Sequence, residues 1–84
     1  MAKQDQTLLQ RVTVDPKIMV GKPTIRGLRI TVEQVLKALA AGVPQHEFLE
    51  DYPELEQEDI KAVLLYAAKR IEEEQVFLVD TGNS

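Results

Sequence analysis

Apolar residues recur with helical spacing in the second half of the chain and alternate in the first half, which predicts a helical body preceded by a short β element. The alternation lies in residues 8–14, LLQRVTV, and stops at Asp15-Pro16, so we expect a half-buried strand there. A second extended piece, TIRGLRI at 24–30, contains Gly27, a residue that inside a strand marks a bulge or a close backbone approach. The two pieces predict either a hairpin within one chain or a ribbon between two copies.

The clearest helix boundary is at Thr31. Gln34 follows it three residues later, which is the capping-box pattern, and Gly42 is placed to adopt the left-handed conformation that ends a helix. Between them, apolar side chains recur with helical spacing at Val32, Val35, Leu36 and Leu39. The pattern therefore predicts a first helix from residue 32 to about residue 41.

Two further helices are predicted after this one. A short helix covers residues 45–51, with Phe48 and Leu49 facing inward, and a long helix covers residues 57–75. The apolar stripe of the long helix consists of Ile60, Val63, Leu64, Ala67 and Ile71. Leu65 lies far from that stripe, so we expect a monomer to leave it exposed.

The chain has 84 residues and no internal repeat or linker, which predicts a single domain. Its parts are an extended segment at 8–30, a three-helix bundle at 31–75 and a tail at 76–84. No apolar run approaches the roughly 20 residues that a membrane span needs, and the first residues, MAKQDQ, lack the apolar stretch of a signal peptide. We therefore expect a cytoplasmic protein without a membrane partner.

The inventory of reactive side chains disfavours catalysis. The chain has no cysteine, one histidine and one serine, Ser84, so no nucleophile with a base and an orienting group can be assembled. The histidine, His46, stands among polar and acidic neighbours that are typical of a solvated helix face, and a metal site needs three or four convergent ligands. We expect a protein that is not an enzyme and has no cofactor or metal site.

Charge is divided unevenly along the chain. Residues 1–37 hold seven basic and three acidic residues, whereas residues 38–84 hold three basic and eleven acidic ones, so balances of +4 and −8 give the net charge of −4. Because affinity for nucleic acid comes from neutralising phosphates, any DNA contact is expected from the first half. The candidate DNA-binding residues are Arg11, Lys22, Arg26 and Arg29.

An alternative remains open for two of these cations. Arg26 and Arg29 are three residues apart, so on an extended strand they would point to opposite faces. One could then be solvated while the other pairs with a carboxylate of the acidic half. The other interpretation is contact with a phosphate or a partner.

Four motifs resemble the family catalogued as domain of unknown function 433. They are GKPTIRGLRI at 21–30, AAG at 40–42, LEDYP at 49–53 and EDI at 58–60, and their order and spacing match along residues 11–71. The resemblance implies a mainly α fold, a three-helix homeodomain-like helix-turn-helix bundle with a short N-terminal β element. It also implies a dimeric transcriptional or antitoxin role, because the family is similar to the VapB-like antitoxins of bacterial toxin–antitoxin pairs.

The chain departs from the family pattern at several positions. Members commonly carry a glycine where Val20 stands and a small residue where Leu28 stands. Their second and third helices usually open with Ser-Pro or Thr-Pro, where this chain has Pro44-Gln45 and Glu56-Gln57. Since a lost Ser or Thr cap costs about 1 kcal/mol, these helix starts are expected to shift by a residue or two.

Two functions are compatible with the resemblance and the charge pattern. The first is an antitoxin and autoregulator that binds promoter DNA as a homodimer through its basic N-terminal segment. The start of the long helix carries Glu56, Glu58 and Asp59, which phosphates repel, so this helix is not expected to read the major groove. The second is a protein-interaction module that neutralises a co-encoded toxin without binding DNA.

Two sets of residues are candidates for protein contacts. Leu65 and Tyr66 lie away from the main stripe of the long helix and are candidate dimer contacts. The tail carries four consecutive apolar residues after the charged run of glutamates, and these are candidate partner-binding residues: Val76, Phe77, Leu78 and Val79. The open alternatives for the tail are a partner anchor, an addition to the thin core, or a strand that pairs across the dimer.

Overall fold

The fold is mainly helical, with a small antiparallel sheet near its N-terminal end. The computed structural model describes residues 3–74, so the candidate partner-binding residues at 76–79 lie outside the described residues. The elements in chain order are α1 (Lys3–Leu9), β1 (Val12–Thr13), a short left-handed turn (Met19–Gly21), β2 (Thr24–Ile25), α2 (Val32–Ala40), α3 (Gln45–Asp51) and α4 (Gln57–Glu73). The mainly α class with a short β element is confirmed.

One core is formed by buried apolar side chains of β2, α2, α3 and α4 and of the segments that join these elements. Its members are Ile25, Ile30, Val32, Val35, Phe48, Leu55, Ile60 and Val63. The ring of Phe48 packs against that of Tyr52 with centroids 4.7 Å apart, and the Tyr52 hydroxyl accepts a hydrogen bond from Gln34 Nε2 at 3.0 Å. These contacts fix α3 against α2.

The start of α2 is formed as the sequence predicts. Thr31 Oγ1 accepts a hydrogen bond from the Gln34 backbone N–H at 3.0 Å, and the Thr31 N–H donates to Gln34 Oε1 at 3.5 Å. Gly42 has a φ of +89°, which is the left-handed conformation predicted for the end of this helix. The predicted bounds of the short helix at 45–51 are also confirmed, with Phe48 buried and Leu49 half-buried.

The predicted strand over residues 8–14 is wrong in its first half. Leu8 and Leu9 belong to α1, and only Val12 and Thr13 pair with β2, in the register Val12↔Ile25 and Thr13↔Thr24. A seven-residue helix is not stable alone, so its packing along α4 decides its conformation against the local alternation. Of the two predicted β arrangements, the described structure contains the hairpin within one chain.

The segment TIRGLRI at 24–30 turns back on itself instead of continuing as a strand. The Leu28 N–H donates to the Ile25 carbonyl at 2.8 Å, and the two residues between them, Arg26 and Gly27, have φ values of +49° and +73°. Two successive positive φ values at the centre of a four-residue turn are typical of type I′. The predicted opposition of Arg26 and Arg29 across a strand therefore does not apply.

The buried surface of α4 differs from the predicted stripe. Ile60 and Val63 are buried, but Leu64 is 45 % exposed and Ile71 is 69 % exposed. Leu65, for which the stripe predicts exposure, is half-buried, and Tyr66 packs against the core. Because α1 also packs along α4, the covered part of α4 is displaced from the predicted stripe and includes positions outside it.

Candidate binding surface

A buried carboxylate at the start of α4 organises the N-terminal half of the molecule. The Asp59 side chain has no exposed surface. Arg26 donates to both of its oxygens, from Nε at 3.0 Å and from Nη2 at 2.8 Å, and Arg11 Nη1 donates at 2.9 Å. The backbone N–H of Glu56 donates a fourth hydrogen bond at 2.8 Å. A buried charge is tolerated when it is paired and hydrogen-bonded in this way.

These contacts set the protonation states of the group. Burial by itself would raise the pKa of Asp59, but the hydrogen bonds from Arg26, the Glu56 N–H and Arg11 outweigh it, so the pKa lies below its usual value. The pKa of Arg11 is raised by its hydrogen bonds to Glu56 and Asp59, and that of Arg26 by its hydrogen bond to Asp59. The cluster is therefore ionised at neutral pH.

The same cluster holds the type I′ turn in place. Arg26 Nη2 also donates to the Glu54 carbonyl at 2.7 Å, and the Arg26 N–H donates to the Arg11 carbonyl at 2.8 Å. A positive φ at a non-glycine residue is unfavourable, and it persists here because the side chain is fixed at three acceptor atoms. Arg11 and Arg26, two of the four candidate DNA-binding residues, thus join the hairpin to α4.

The other two candidates lie on a separate groove of about 500 Å³. Lys22 and Arg29 line it with Lys17, and the remaining lining residues are Pro16, Met19 and Val20. Lys22 pairs with Glu33 at 3.2 Å. Within residues 3–74 neither Lys17 nor Arg29 has an ion pair, and both side chains are exposed. We call this groove, which is lined by the three cations Lys17, Lys22 and Arg29, the basic groove.

Sequence reasoning missed Lys17 and the role of Asp59. Lys17 is positioned by a turn in which Asp15 Oδ1 accepts the Lys17 N–H at 2.9 Å, and the Asp15-Pro16 pair was its signal. Asp59 stands three residues after Glu56, where an acidic side chain can cap a helix start, and this spacing was its signal. Neither local pattern indicates which residues from elsewhere in the sequence come to lie beside Lys17 or Asp59.

The helices that would form a helix-turn-helix carry little positive charge at their starts. The exposed side chains of α3 and of the α3–α4 connection include Glu47, Glu50, Asp51 and Glu54, and His46 is exposed among them.

No cluster of His, Asp or Glu side chains in residues 3–74 has the arrangement of a metal site. No helix in that part of the chain combines the length and apolar character needed to cross a membrane.

Comparison with known proteins identifies relatives without assigning a role. A family model described as "Protein of unknown function (DUF433)" matches residues 12–67. The chain is similar to "Uncharacterized protein y4eO" of Sinorhizobium fredii (strain NBRC 101917 / NGR234), with 39 % identity over 56 residues. This match covers 67 % of the chain and 25 % of the relative, so the chain spans about a quarter of the length of that curated protein. No solved structure matches.

Proposed function

The chain belongs to the DUF433 family, and we propose that it is a cytoplasmic DNA-binding antitoxin and autoregulator that contacts promoter DNA through the basic groove. The observation that supports this proposal is the convergence of Lys17, Lys22 and Arg29 on one groove, with one of the three paired to a carboxylate. In this proposal α2, α3 and α4 form a homeodomain-like helix-turn-helix whose helix starts do not enter the major groove.

The proposed contact is with the phosphate backbone. Lysine and arginine side chains bind phosphate oxygens, and each contact releases a condensed counterion, which makes affinity fall steeply with salt. The net charge of −4 weakens binding to arbitrary DNA, so the few cations must act together. A homodimer doubles the contacts and adds the geometric requirement that two grooves meet one duplex.

The test is fluorescence anisotropy with the protein's own promoter fragment over a series of salt concentrations. Combined replacement Lys22→Ala and Arg29→Ala should weaken binding by at least about tenfold and reduce the salt slope by about 0.9 for each phosphate that is no longer neutralised. The matched control is Lys69→Ala with Arg70→Ala, which removes one lysine and one arginine from α4, each paired only within that helix. Arg26→Ala is unsuitable because it also breaks the contacts with Asp59.

Two results would overturn the DNA part of the proposal. One is the absence of promoter binding by the wild-type protein at low salt. The other is a larger reduction of affinity in the α4 control than in the groove variant, which would make α4 the reading element.

A second candidate function is a protein-interaction module that neutralises a co-encoded toxin without binding DNA. It is favoured by a shallow apolar groove of about 280 Å³ next to the basic groove, with Pro23, Val32 and Leu36 as its apolar lining. Lys22 borders both grooves, so one protein partner could occupy them together. Co-purification with the product of the adjacent gene, using the full chain and a chain ending at Gln75, tests this candidate and the role of residues 76–79.

A further inference from the structure

The face of α4 that points away from the core carries a stripe of exposed positions whose C-terminal part is apolar and, within residues 3–74, is left uncovered. Five of the exposed positions on this helix recur at intervals of four, three, four and three residues. They are Gln57, Lys61, Leu64, Ala68 and Ile71. This spacing is the heptad pattern of a helix that packs against a second helix. Leu64 at 45 % exposure and Ile71 at 69 % are two of the four large apolar side chains exposed within residues 3–74.

We infer that this stripe is the contact surface between two copies of the chain, with their α4 helices packed antiparallel. The inference rests on the homodimer of the proposed function and names its surface. It replaces Leu65 and Tyr66 as the central contacts, because those side chains are already half-buried within one copy. The helix α4 has 17 residues and is therefore about 25 Å long, enough for four layers of side chains.

Charge favours the antiparallel arrangement. Lys61 belongs to the stripe and Glu72 lies beside it, near opposite ends of its apolar part, and their side chains are 59 % and 69 % exposed. A parallel pair would place Lys61 against Lys61 and Glu72 against Glu72 of the other copy. An antiparallel pair places Lys61 of each copy beside Glu72 of the other, so that two attractive interactions replace two repulsive ones.

The apolar residues fit the same arrangement. When Leu64 lies opposite Ile71 of the second copy, Ala67 and Ala68 lie at the crossing point, and Lys61 lies opposite Glu74, about 3 Å along the axis from Glu72. Small side chains at a crossing point allow two helix axes to approach closely. Each copy contributes two large exposed apolar side chains to the seam, whereas a stable interface buries roughly 800 Å² per partner, so the dimer is expected to dissociate in the micromolar range.

Sedimentation equilibrium from the low micromolar to the millimolar range tests the surface. Leu64→Glu and Ile71→Glu should each weaken the dimer by at least about tenfold, because they place a charge in the seam. Both side chains are exposed, so far-UV circular dichroism should not change. Val14→Glu is the matched control, since Val14 is 60 % exposed and lies outside α4. A wild-type chain that stays monomeric, or a Val14→Glu variant that dissociates as readily, would overturn the inference.

Cross-linking tests the direction of the helices. The chain has no cysteine, so Leu64→Cys and Ile71→Cys each introduce one thiol. In the antiparallel pair residue 64 faces residue 71, while the two copies of either residue are about 10 Å apart along the axis, too far for a disulfide. Oxidation of a mixture should therefore give the mixed dimer, and each variant alone should remain largely uncross-linked. Efficient self-cross-linking of each variant would show parallel helices instead.

Reversing the charges of Lys61 and Glu72 shows whether these residues act between the two copies or only stabilise the fold of one copy. Lys61→Glu should weaken the dimer, and adding Glu72→Lys should restore it, because the pair between copies is rebuilt with reversed signs. Failure of the double variant to recover would contradict the antiparallel pairing. Since dimerisation is measured without DNA, absence of promoter binding would leave this test unaffected.

Discussion

At the scale of single residues, Asp59 decides how two arginines of the basic half are used. Counting charges along the chain treats Arg11 and Arg26 as free cations. Their acceptor on α4 lies 48 and 33 residues away, and no local pattern reports a pairing over such separations. The alternative in which Arg26 pairs with a carboxylate of the acidic half is the one formed in the structure. The burial of Asp59 could not be predicted from the sequence either, because two other acidic residues precede it at the helix start and nothing in the pattern distinguishes it from them.

We predict that Asp59→Ala destabilises the protein by about 2–4 kcal/mol, because it leaves two guanidinium groups without their shared acceptor and removes a helix cap. Urea unfolding followed by circular dichroism measures the change in the free energy of unfolding. Glu58→Ala is the control, since Glu58 neighbours Asp59 but is 52 % exposed and makes a single long ion pair of 4.0 Å with Lys61. Equal destabilisation in the two variants would show that the buried cluster contributes little.

At the scale of elements, the helices that were predicted correctly have local signals. The capping box at Thr31, the glycine at 42 and the apolar spacing of α2 all lie within a dozen residues. The errors concern α1 and the turn at 26–27, whose conformations depend on packing against α4 and on the contact of Arg26 with Asp59. A pattern confined to neighbouring residues cannot represent those contacts. The same limit applies to the basic groove, of which the sequence indicated two cations out of three.

The left-handed turn at Met19–Gly21 gives a physical reason for the glycine that the resemblance places where this chain has Val20. Val20 has φ +59° and ψ +33°, a conformation that is strained for a β-branched residue, and its side chain is 93 % exposed. The resemblance places a glycine at this position in other members. Glycine adopts positive φ without a steric penalty, so the backbone geometry accounts for that preference.

We predict that Val20→Gly stabilises the protein by roughly 0.5–1 kcal/mol, because release of the left-handed strain exceeds the entropy that glycine gains in the unfolded chain. For a domain of this size the gain corresponds to a rise of about 4 °C in melting temperature. Val14→Gly serves as the control, because Val14 is also exposed but does not have a positive φ, and this variant should be less stable. A fall in melting temperature for Val20→Gly would show that the valine side chain makes a compensating contact.

At the scale of the whole molecule, the division of charge along the chain becomes a division of roles. Part of the basic half is neutralised inside the fold, where it joins the hairpin to α4, and part remains on the basic groove. The charge asymmetry follows from the sequence alone. The sequence does not show which cations pair with a buried carboxylate and which remain on the surface. Stability and the proposed DNA contact thus depend on different cations, which allows each to be altered separately.

Because one buried carboxylate joins two parts of the molecule, the stability of the whole fold should depend on pH in acid. The pKa of Asp59 is lowered in the folded state, so the unfolded chain binds the proton more readily, and stability rises with pH through the interval between the two pKa values. The contribution is complete above the unfolded value of about 3.9 and is lost as pH falls through the lower, folded value. The pKa of Glu33 is also lowered, by Lys37 and Lys22, but that carboxylate is exposed and its pairs contribute little. We therefore predict that the free energy of unfolding of the wild-type protein, measured with urea, falls steeply below about pH 4, and that Asp59→Asn, which keeps the shape but cannot titrate, loses most of this dependence. If the two proteins lose stability in parallel as the pH is lowered, other carboxylates control the acid transition and the role given to Asp59 is wrong.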